Sequence, residues 1–146
     1  MIWPKPTPGL VVRYSYMWRW QADKGEESGR KARPCVIILA VEQPSGKIIA
    51  YLAPITHTPP AEEWAAVALP PKVKRRVGLD DEPSWIVTTE FNAFEWPGLD
   101  LLALSPQRSA ADFIYGELSA KVIDDVLSRF RENLRHGRAR VVKRTE

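Results

Sequence analysis

Two groups of polar residues stand at positions where they could act together on a phosphate. Three cations, Arg30, Lys31 and Arg33, stand just before the apolar run 35–41, and the tripeptide "THT", residues 56–58, follows a second apolar stretch. Cations can hold an anion, hydroxyls can donate hydrogen bonds, and an imidazole can take up or release a proton near neutral pH. The chemistry depends on whether the fold brings these two groups together.

The segment between the two groups is typical of a β-hairpin. "RPCVIILAV" and "IIAYLAPI" are rich in β-branched residues, and "EQPSGK" between them has the composition of a turn. In an antiparallel hairpin the start of the first strand lies beside the end of the second. We therefore expect Arg33 near Thr56, with Arg30, Lys31 and His57 at the same edge of the sheet.

This set of side chains suits cleavage of RNA through its own 2′-hydroxyl. That reaction needs a base for the hydroxyl proton, a cation for the charge on the phosphorane and an acid for the leaving 5′-oxygen. Arg33 can supply the cation, and His57 can serve as base or acid. The hydroxyls of Thr56 and Thr58 can bind phosphate oxygens, and no metal or cofactor is required.

Composition and length indicate one globular domain. The chain has 146 residues, of which 45% are hydrophobic and 27% charged, with a net charge of +3. No apolar run is long enough for a membrane span, and the N-terminus lacks the apolar core of a signal peptide, so a cytoplasmic location is expected. The single Cys35 and the two histidines offer no zinc-site spacing, which predicts no metal.

The N-terminal region is predicted to hold an arm and a strand. Residues 1–8 contain three prolines and are expected to be extended and loosely held. Apolar and polar residues alternate from 10 to 20, which predicts a strand. One face of it carries Val12, Tyr14, Tyr16, Trp18 and Trp20. This face is either core and dimer interface or, at Trp18 and Trp20, a platform on which bases stack.

The rest of the chain predicts short strands followed by one helix. Short strands are expected in 63–71, 85–89 and 100–104, and a polar loop in 72–83 whose cations are either solvated or in contact with phosphates. An apolar stripe of helical period predicts a helix over 117–136, with Ser119 as N-cap and Gly137 at its end. The basic tail 137–146 is expected to be solvated. Strands over 9–104 and a terminal helix indicate an α+β fold, mainly β, with the helix packed on a small barrel.

Several of these segments resemble the PemK/MazF-like toxin family. The resemblance lies in "GLVVRY" before a charged loop, then "RPCVIIL" and "IIAYLAPIT", and in "GELSAKVIDDVLSRF" near the end. It implies an SH3-like barrel with a terminal helix, usually a homodimer. It also implies a sequence-selective, metal-independent endoribonuclease that cuts single-stranded RNA at short sequences and is silenced by a cognate antitoxin.

By the family's motif, its catalytic arginine corresponds to Arg33 and its catalytic threonine to Thr56. An acidic residue of the preceding loop contributes in some members, and Glu27 is the nearest candidate here, so Glu27 and His57 are alternative bases. Arg30, Lys31, Thr58, Trp18 and Trp20 are the expected RNA-binding residues.

Three functions stay open from the sequence. The first is the ribonuclease toxin. The second is a nucleic-acid-binding barrel without catalysis, and the third is a toxin of the same fold that targets a protein. On the simpler interpretation, Arg30, Lys31 and Arg33 form a solvated loop, and His57 belongs to a turn before two prolines.

Overall fold

The protein folds as a mainly antiparallel β-sheet with a C-terminal helix in the computed structural model, which describes residues 3–26 and 31–144. Within these ranges the strands are β1 (Leu10–Tyr14), β2 (Arg33–Glu42), β3 (Ile48–Thr56), β4 (Ala66–Ala68), β5 (Trp85–Val87), β6 (Glu90–Trp96), β7 (Ile114–Glu117) and β8 (Arg140–Lys143). The helices are α1 (Arg19–Asp23), α2 (Pro71–Arg76) and α3 (Ala120–Arg135), and one 3₁₀ turn spans Glu63–Ala65. No helix among these elements has the length and apolar character needed to cross a bilayer.

The predicted hairpin of β2 and β3 is confirmed and forms the centre of the sheet. The strand order is β4-β5-β3-β2-β1-β7, and β6 pairs with β3 on one side and with β8 on the other. β3 therefore has different partners along its length: its first half pairs with β6, and its last residues, Ile55 and Thr56, pair with β5. The antiparallel pairing of β2 and β3 places the end of β3 beside the start of β2.

Both faces of β2 are covered over Cys35 to Ile38, which explains the apolar sequence of this part of the strand. Cys35 and Ile37 belong to an aromatic-rich core together with residues of β1, β3 and β6. Val36 and Ile38 point to the opposite face and pack in a second core, which includes the buried side of α3. Strands that are buried on both faces show continuous rather than alternating apolar residues.

The C-terminal helix begins and ends close to where the sequence predicts. Ser119 is its N-cap, and the side-chain oxygen of Ser119 accepts a hydrogen bond from the backbone of Val122 at 3.5 Å. Gly137 follows the last turn with φ of 68°, the conformation that ends helices and that glycine adopts without strain. The apolar stripe of α3 contributes to the second core through buried residues such as Val126 and Phe130.

The prediction of one strand over residues 10–20 was wrong beyond Tyr14. β1 ends there, and Trp18 caps the short helix α1, which carries Trp20. The physical cause is the buried amide of Asn92, whose Oδ1 accepts from Met17 N at 2.9 Å and whose Nδ2 donates to Met17 O at 2.8 Å. A side chain thus replaces a neighbouring strand as the partner of this backbone, which frees the chain to turn into α1.

Other boundaries also differ from the sequence prediction. Residues 72–83 are not one loop, because α2 begins at Pro71, a favourable first position of a helix, and Lys74 is buried. The strand expected at 85–89 is β5, which ends at Val87, and a separate strand, β6, begins at Glu90. β7 was not predicted. In 100–104 only Leu101 makes a strand-like pairing, a single bridge to Tyr14.

The two ends of the chain are held more firmly than predicted. In the N-terminal arm, Trp3 stacks on Phe113 with ring centroids 5.6 Å apart, and the carbonyl of Pro4 accepts from Trp96 Nε1 at 2.8 Å. In the supposedly solvated tail, β8 pairs in parallel with β6, and the side chain of Arg144 is only 1% exposed.

The buried guanidinium of Arg144 joins four parts of the fold. Nη1 donates to the backbone carbonyl of Ser15 at 2.8 Å, to the hydroxyl of Tyr14 at 3.2 Å and to Oδ1 of Asn92 at 3.2 Å. Nη2 makes an ion pair with Asp100 Oδ2 at 2.7 Å. A buried cation with this many acceptors fixes the end of β1 against β6 and the loop that follows it.

We predict that Arg144→Ala lowers the free energy of unfolding by about 3 kcal/mol, because it removes a buried cation from four acceptors and leaves the partly buried carboxylate of Asp100 without its partner. Lys143→Ala, an exposed position of β8, is the matched control and should change stability by less than about 0.5 kcal/mol. Denaturant unfolding of the three proteins measures the effect. Equal denaturant concentrations at the unfolding midpoint for Arg144→Ala and wild type would contradict the role assigned to this guanidinium.

Candidate active site

The start of β2 and the end of β3 line one groove. Cys35 pairs with Pro54, so the antiparallel register places Arg33 beside Thr56. The groove has a volume of about 490 Å³. It brings together the predicted residues Trp18, Trp20, Lys31, Arg33, Thr56, His57 and Thr58. The expected juxtaposition of the two polar groups is confirmed, whereas Glu27 and Arg30 lie outside the described residues.

Arg33 lines this groove, and one of its hydrogen-bond donors has no partner among the described residues. Its guanidinium carbon lies 4.9 Å from the ring centroid of Trp18, a cation–π contact that holds the side chain in place. The Nε atom is buried and has no acceptor among the residues that the structure describes. A buried donor without a partner costs about 1–3 kcal/mol, which an anionic ligand would relieve. The arrangement therefore suits the binding of a phosphate.

Trp18 and Trp20 reach the groove because of the turn after β1. Tyr14 pairs with Arg33, so the chain that leaves β1 passes directly beside the start of β2. The Trp18 backbone N–H donates to Gln21 Oε1 at 2.9 Å, which fixes the first turn of α1. Trp20 is 46% exposed and lines the groove, and the ammonium of Lys24 lies 5.3 Å from its ring centroid. The sequence predicted that these tryptophans are accessible but not the turn that directs them into the groove.

A partly buried carboxylate holds the other side of this turn. Glu90 Oε1 accepts from the hydroxyl of Tyr16 and from the backbone N–H of Arg19, both at 3.0 Å. Burial raises the pKa of Glu90 above its usual range, and these hydrogen bonds partly offset the shift. Burial, followed by the charge of Glu90, raises the pKa of Tyr16. Tyr16 therefore stays a neutral donor that ties α1 to the start of β6.

His57 belongs to a charged cluster that the sequence analysis missed. Its Nε2 lies 2.9 Å from Asp80 Oδ2 and 3.6 Å from Glu82 Oε2, on the loop that follows α2. Asp80 in turn accepts from Lys74 Nζ at 2.8 Å, and Lys74 also donates to Ser84 Oγ at 2.6 Å. The stretch "KVKRRVGLDDEP" looks like an ordinary polar loop, and nothing in it indicates a partner for a histidine 23 residues away.

The cluster is better suited to hold an imidazole than to hold a metal. The ligand atoms of His57, Asp80 and Glu82 lie within 4.8 Å of one another, close enough in principle for a divalent cation. However, the Lys74 ammonium already contacts Asp80 and would repel a second cation at that position. The carboxylates therefore orient His57 through Nε2, while Nδ1 contacts no hydrogen-bond partner in the described chain. The absence of a required metal stays a prediction.

The hydroxyl of Thr56 remains able to donate. Its oxygen accepts from the backbone N–H of Thr58 at 3.2 Å, a local turn that closes the end of β3. Because the oxygen is used as an acceptor, the hydroxyl proton can point toward a ligand in the groove. Thr56 and Thr58 both line the groove, together with Trp18 and Trp20.

Comparison with protein-family models gave no match, and comparison with curated proteins gave no significant match.

We predict that Asp80 gives stability a defined dependence on pH. The hydrogen bond from Lys74 is the main cause that lowers the pKa of Asp80 below its usual 3.8. A lowered pKa in the folded state stabilises the fold above the usual pKa, and this contribution is lost as the pH falls through the lower, folded value. The gap in unfolding free energy between wild type and Asp80→Asn should therefore shrink as the pH falls below about 5.

Chemical unfolding of both proteins across this pH range measures the gap. Asp81→Asn is the matched control, since it makes the same change at a neighbouring exposed carboxylate and should leave the unfolding midpoint at pH 7 unchanged. If the difference in unfolding free energy between wild type and Asp80→Asn stayed constant down to about pH 2, the Lys74 contact would not stabilise the charged form of Asp80.

Proposed function

We propose that this protein is a metal-independent endoribonuclease toxin of the PemK/MazF-like type, with an SH3-like barrel, that cleaves single-stranded RNA. The observation that carries the proposal is that Arg33, whose Nε has no partner among the described residues, lines a groove together with Thr56 and His57. A fixed cation, a hydroxyl donor and an imidazole at one edge of a sheet are the groups that 2′-hydroxyl attack on a phosphate requires.

In the proposed reaction, a base removes the proton of the 2′-hydroxyl, and that oxygen attacks the adjacent phosphorus. The bond from phosphorus to the 5′-oxygen breaks, and the leaving oxygen takes a proton from an acid. The products are a 2′,3′-cyclic phosphate and a 5′-hydroxyl. Arg33 stabilises the negative charge of the pentacoordinate phosphorus, and Thr56 binds one of its non-bridging oxygens.

His57 is the proposed base or acid, with Glu27 as the alternative base. Support for His57 comes from Asp80 and Glu82, which hold the imidazole at the groove through Nε2. A histidine that is oriented by a carboxylate on one nitrogen can transfer a proton at the other. The groove would bind RNA through the rings of Trp18 and Trp20 and through the charge of Lys31.

The resemblance also suggests two protein partners, a second copy of the chain and a cognate antitoxin. Leu39 and Val41 of β2 are 49% and 38% exposed, and they offer an apolar contact away from the groove. A protein inhibitor that covers the groove would silence the proposed activity. We include both partners in the proposal.

Incubation of the purified protein with a diverse RNA library in EDTA tests the proposed function. We expect cleavage with 2′,3′-cyclic phosphate and 5′-hydroxyl ends, because the proposed mechanism uses no metal. RNA that binds but stays intact at high protein concentration would favour the nucleic-acid-binding barrel without catalysis. RNA that neither binds nor is cut would favour the toxin that targets a protein.

We predict that Arg33→Ala lowers the cleavage rate at least ~100-fold, because the transition state loses its main cation. The free energy of unfolding should change by less than about 1 kcal/mol, since the lost Trp18 contact is partly offset by removal of an unsatisfied donor. Arg76→Ala, an exposed cation on α2 that does not line the groove, is the control and should retain activity. Loss of the fold together with activity would show that Arg33 is structural.

We predict that substitution of His57 affects turnover, whereas substitution of Lys31 affects RNA binding. His57→Ala should lower turnover and leave RNA affinity nearly unchanged, because the imidazole moves a proton and holds no phosphate. Lys31→Ala should weaken binding and reduce the salt dependence of affinity by up to about 0.7 in log–log slope, the value for one phosphate contact on single strands. Turnover at saturating RNA should survive Lys31→Ala. Full activity of His57→Ala would leave Glu27 as the base to test.

A further inference from the structure

A second cavity opens beside the groove, on the side of α1. Its volume is about 280 Å³. The lining residues are Tyr16, Trp18, Trp20, Gln21, Lys31 and Arg33, four of which also line the groove. The two cavities therefore adjoin each other at the tryptophans and Arg33. A chain bound with a phosphate at Arg33 has room beside it for one further group.

The size and walls of this cavity fit a single nucleobase. It is slightly smaller than the range of about 300–1,000 Å³ that is typical of pockets for drug-sized ligands. Three of its lining residues are aromatic, and unpaired RNA bases are commonly recognised by stacking on aromatic rings. Tyr16 and Trp18 already contact each other edge to face, with ring centroids 5.1 Å apart. Their mutual contact fixes the wall before any ligand binds.

Gln21 gives the cavity its polar character. The residue is only 2% exposed, and its Oε1 accepts from the backbone N–H of Trp18. That bond fixes the orientation of the carboxamide, because the opposite orientation would set two donors against each other. The Nε2 group of Gln21 donates to no acceptor among the described residues. A nearly buried amide therefore lines the cavity, and neither of its N–H bonds is used by the part of the chain that the structure describes.

The polar groups that face this cavity are mainly donors. Gln21 offers N–H groups and Lys31 offers an ammonium, while the hydroxyl proton of Tyr16 is used by Glu90. Guanine presents two adjacent acceptors, O6 and N7, on its Hoogsteen edge. Adenine presents a donor, N6–H₂, beside N7, so it would set a donor against the donors of the cavity. The pattern favours guanine over adenine.

We propose that this cavity binds a guanine base of the RNA, stacked on the aromatic wall and recognised by Gln21. The proposal rests on the proposed function, since it places the base next to the phosphate at Arg33, and it names Gln21 as a specificity-determining residue. Gln21 acts on the choice of base and not on the reacting atoms.

Titration with mononucleotides tests the cavity without any need for cleavage. The probes are guanosine, adenosine and cytidine 5′-monophosphates, and the readout is the NMR signals of the Gln21 side-chain amide and the tryptophan indoles. We expect the guanosine nucleotide to bind at least about fivefold more tightly than the other two, the lower end for a good bidentate base contact. Equal affinities for the three nucleotides would overturn the proposal.

Gln21→Glu sharpens the test, because Glu keeps the acceptor for the Trp18 N–H and removes the two donors. We expect the preference for guanosine over adenosine monophosphate to vanish or reverse in Gln21→Glu. Gln107→Glu adds the same charge at an exposed loop and should retain the wild-type preference. A preference unchanged by Gln21→Glu would overturn the role of Gln21.

Sequencing of cleaved ends separates this proposal from the proposed function. Guanine selectivity in the titration without RNA cleavage would support the cavity and contradict the nuclease. Cleavage with no enrichment of guanine near the cut would support the nuclease and contradict the cavity. Enrichment of guanine at one position in wild type, reduced in Gln21→Glu and kept in Gln107→Glu, supports both.

Discussion

The buried guanidinium of Arg144 is the interaction on which the groove depends. It binds the hydroxyl of Tyr14, the carbonyl of Ser15, the amide of Asn92 and the carboxylate of Asp100. Such a charge is costly to bury and is stable only when all of its partners are present. It therefore fixes one arrangement of β1, β6 and the loop around Asp100, and small displacements of any of these are resisted.

That fixed point sets the position of the site through a short series of contacts. Asn92, held by Arg144, binds both polar groups of the Met17 backbone, and the next residue, Trp18, packs against Arg33. From the other side, the two covered faces of β2 prevent Arg33 from shifting along the sheet. The proposed site is thus built on strand ends rather than on a long free loop, which is the arrangement that positions a catalytic group well.

The parts of the site that the sequence predicts are those that depend on local pairing. Arg33 and Thr56 meet because the hairpin between them is encoded by β-branched strands and a polar turn, and the start of α3 is encoded by Ser119. The polar partners that lie far apart in sequence could not be predicted in this way. Asn92 has no feature that identifies it as the partner of Met17.

The sequence analysis also failed to predict which charged residues are buried. Lys74 and Arg144 stand in basic stretches that are usually solvated, and only the tertiary arrangement surrounds them with acceptors. The alternation up to Trp20 predicted a longer strand for a similar reason: the side chains of Tyr14 and Tyr16 are both buried as in a strand, although the backbone leaves the sheet after Tyr14. The proposed role of Gln21 could not be predicted, because a single glutamine in a polar segment carries no signal of function.

The central claim is that the free Nε–H of Arg33 binds a phosphate of RNA. Its most direct test is the ¹H–¹⁵N NMR signal of the Arg33 Nε–H, followed while a short single-stranded RNA with a 2′-deoxy substitution at the cleavage position is added, so that the complex stays intact. The account predicts a large shift of this signal on binding and slower exchange of its proton with water. A bound RNA that leaves the Arg33 Nε–H signal unchanged would contradict it.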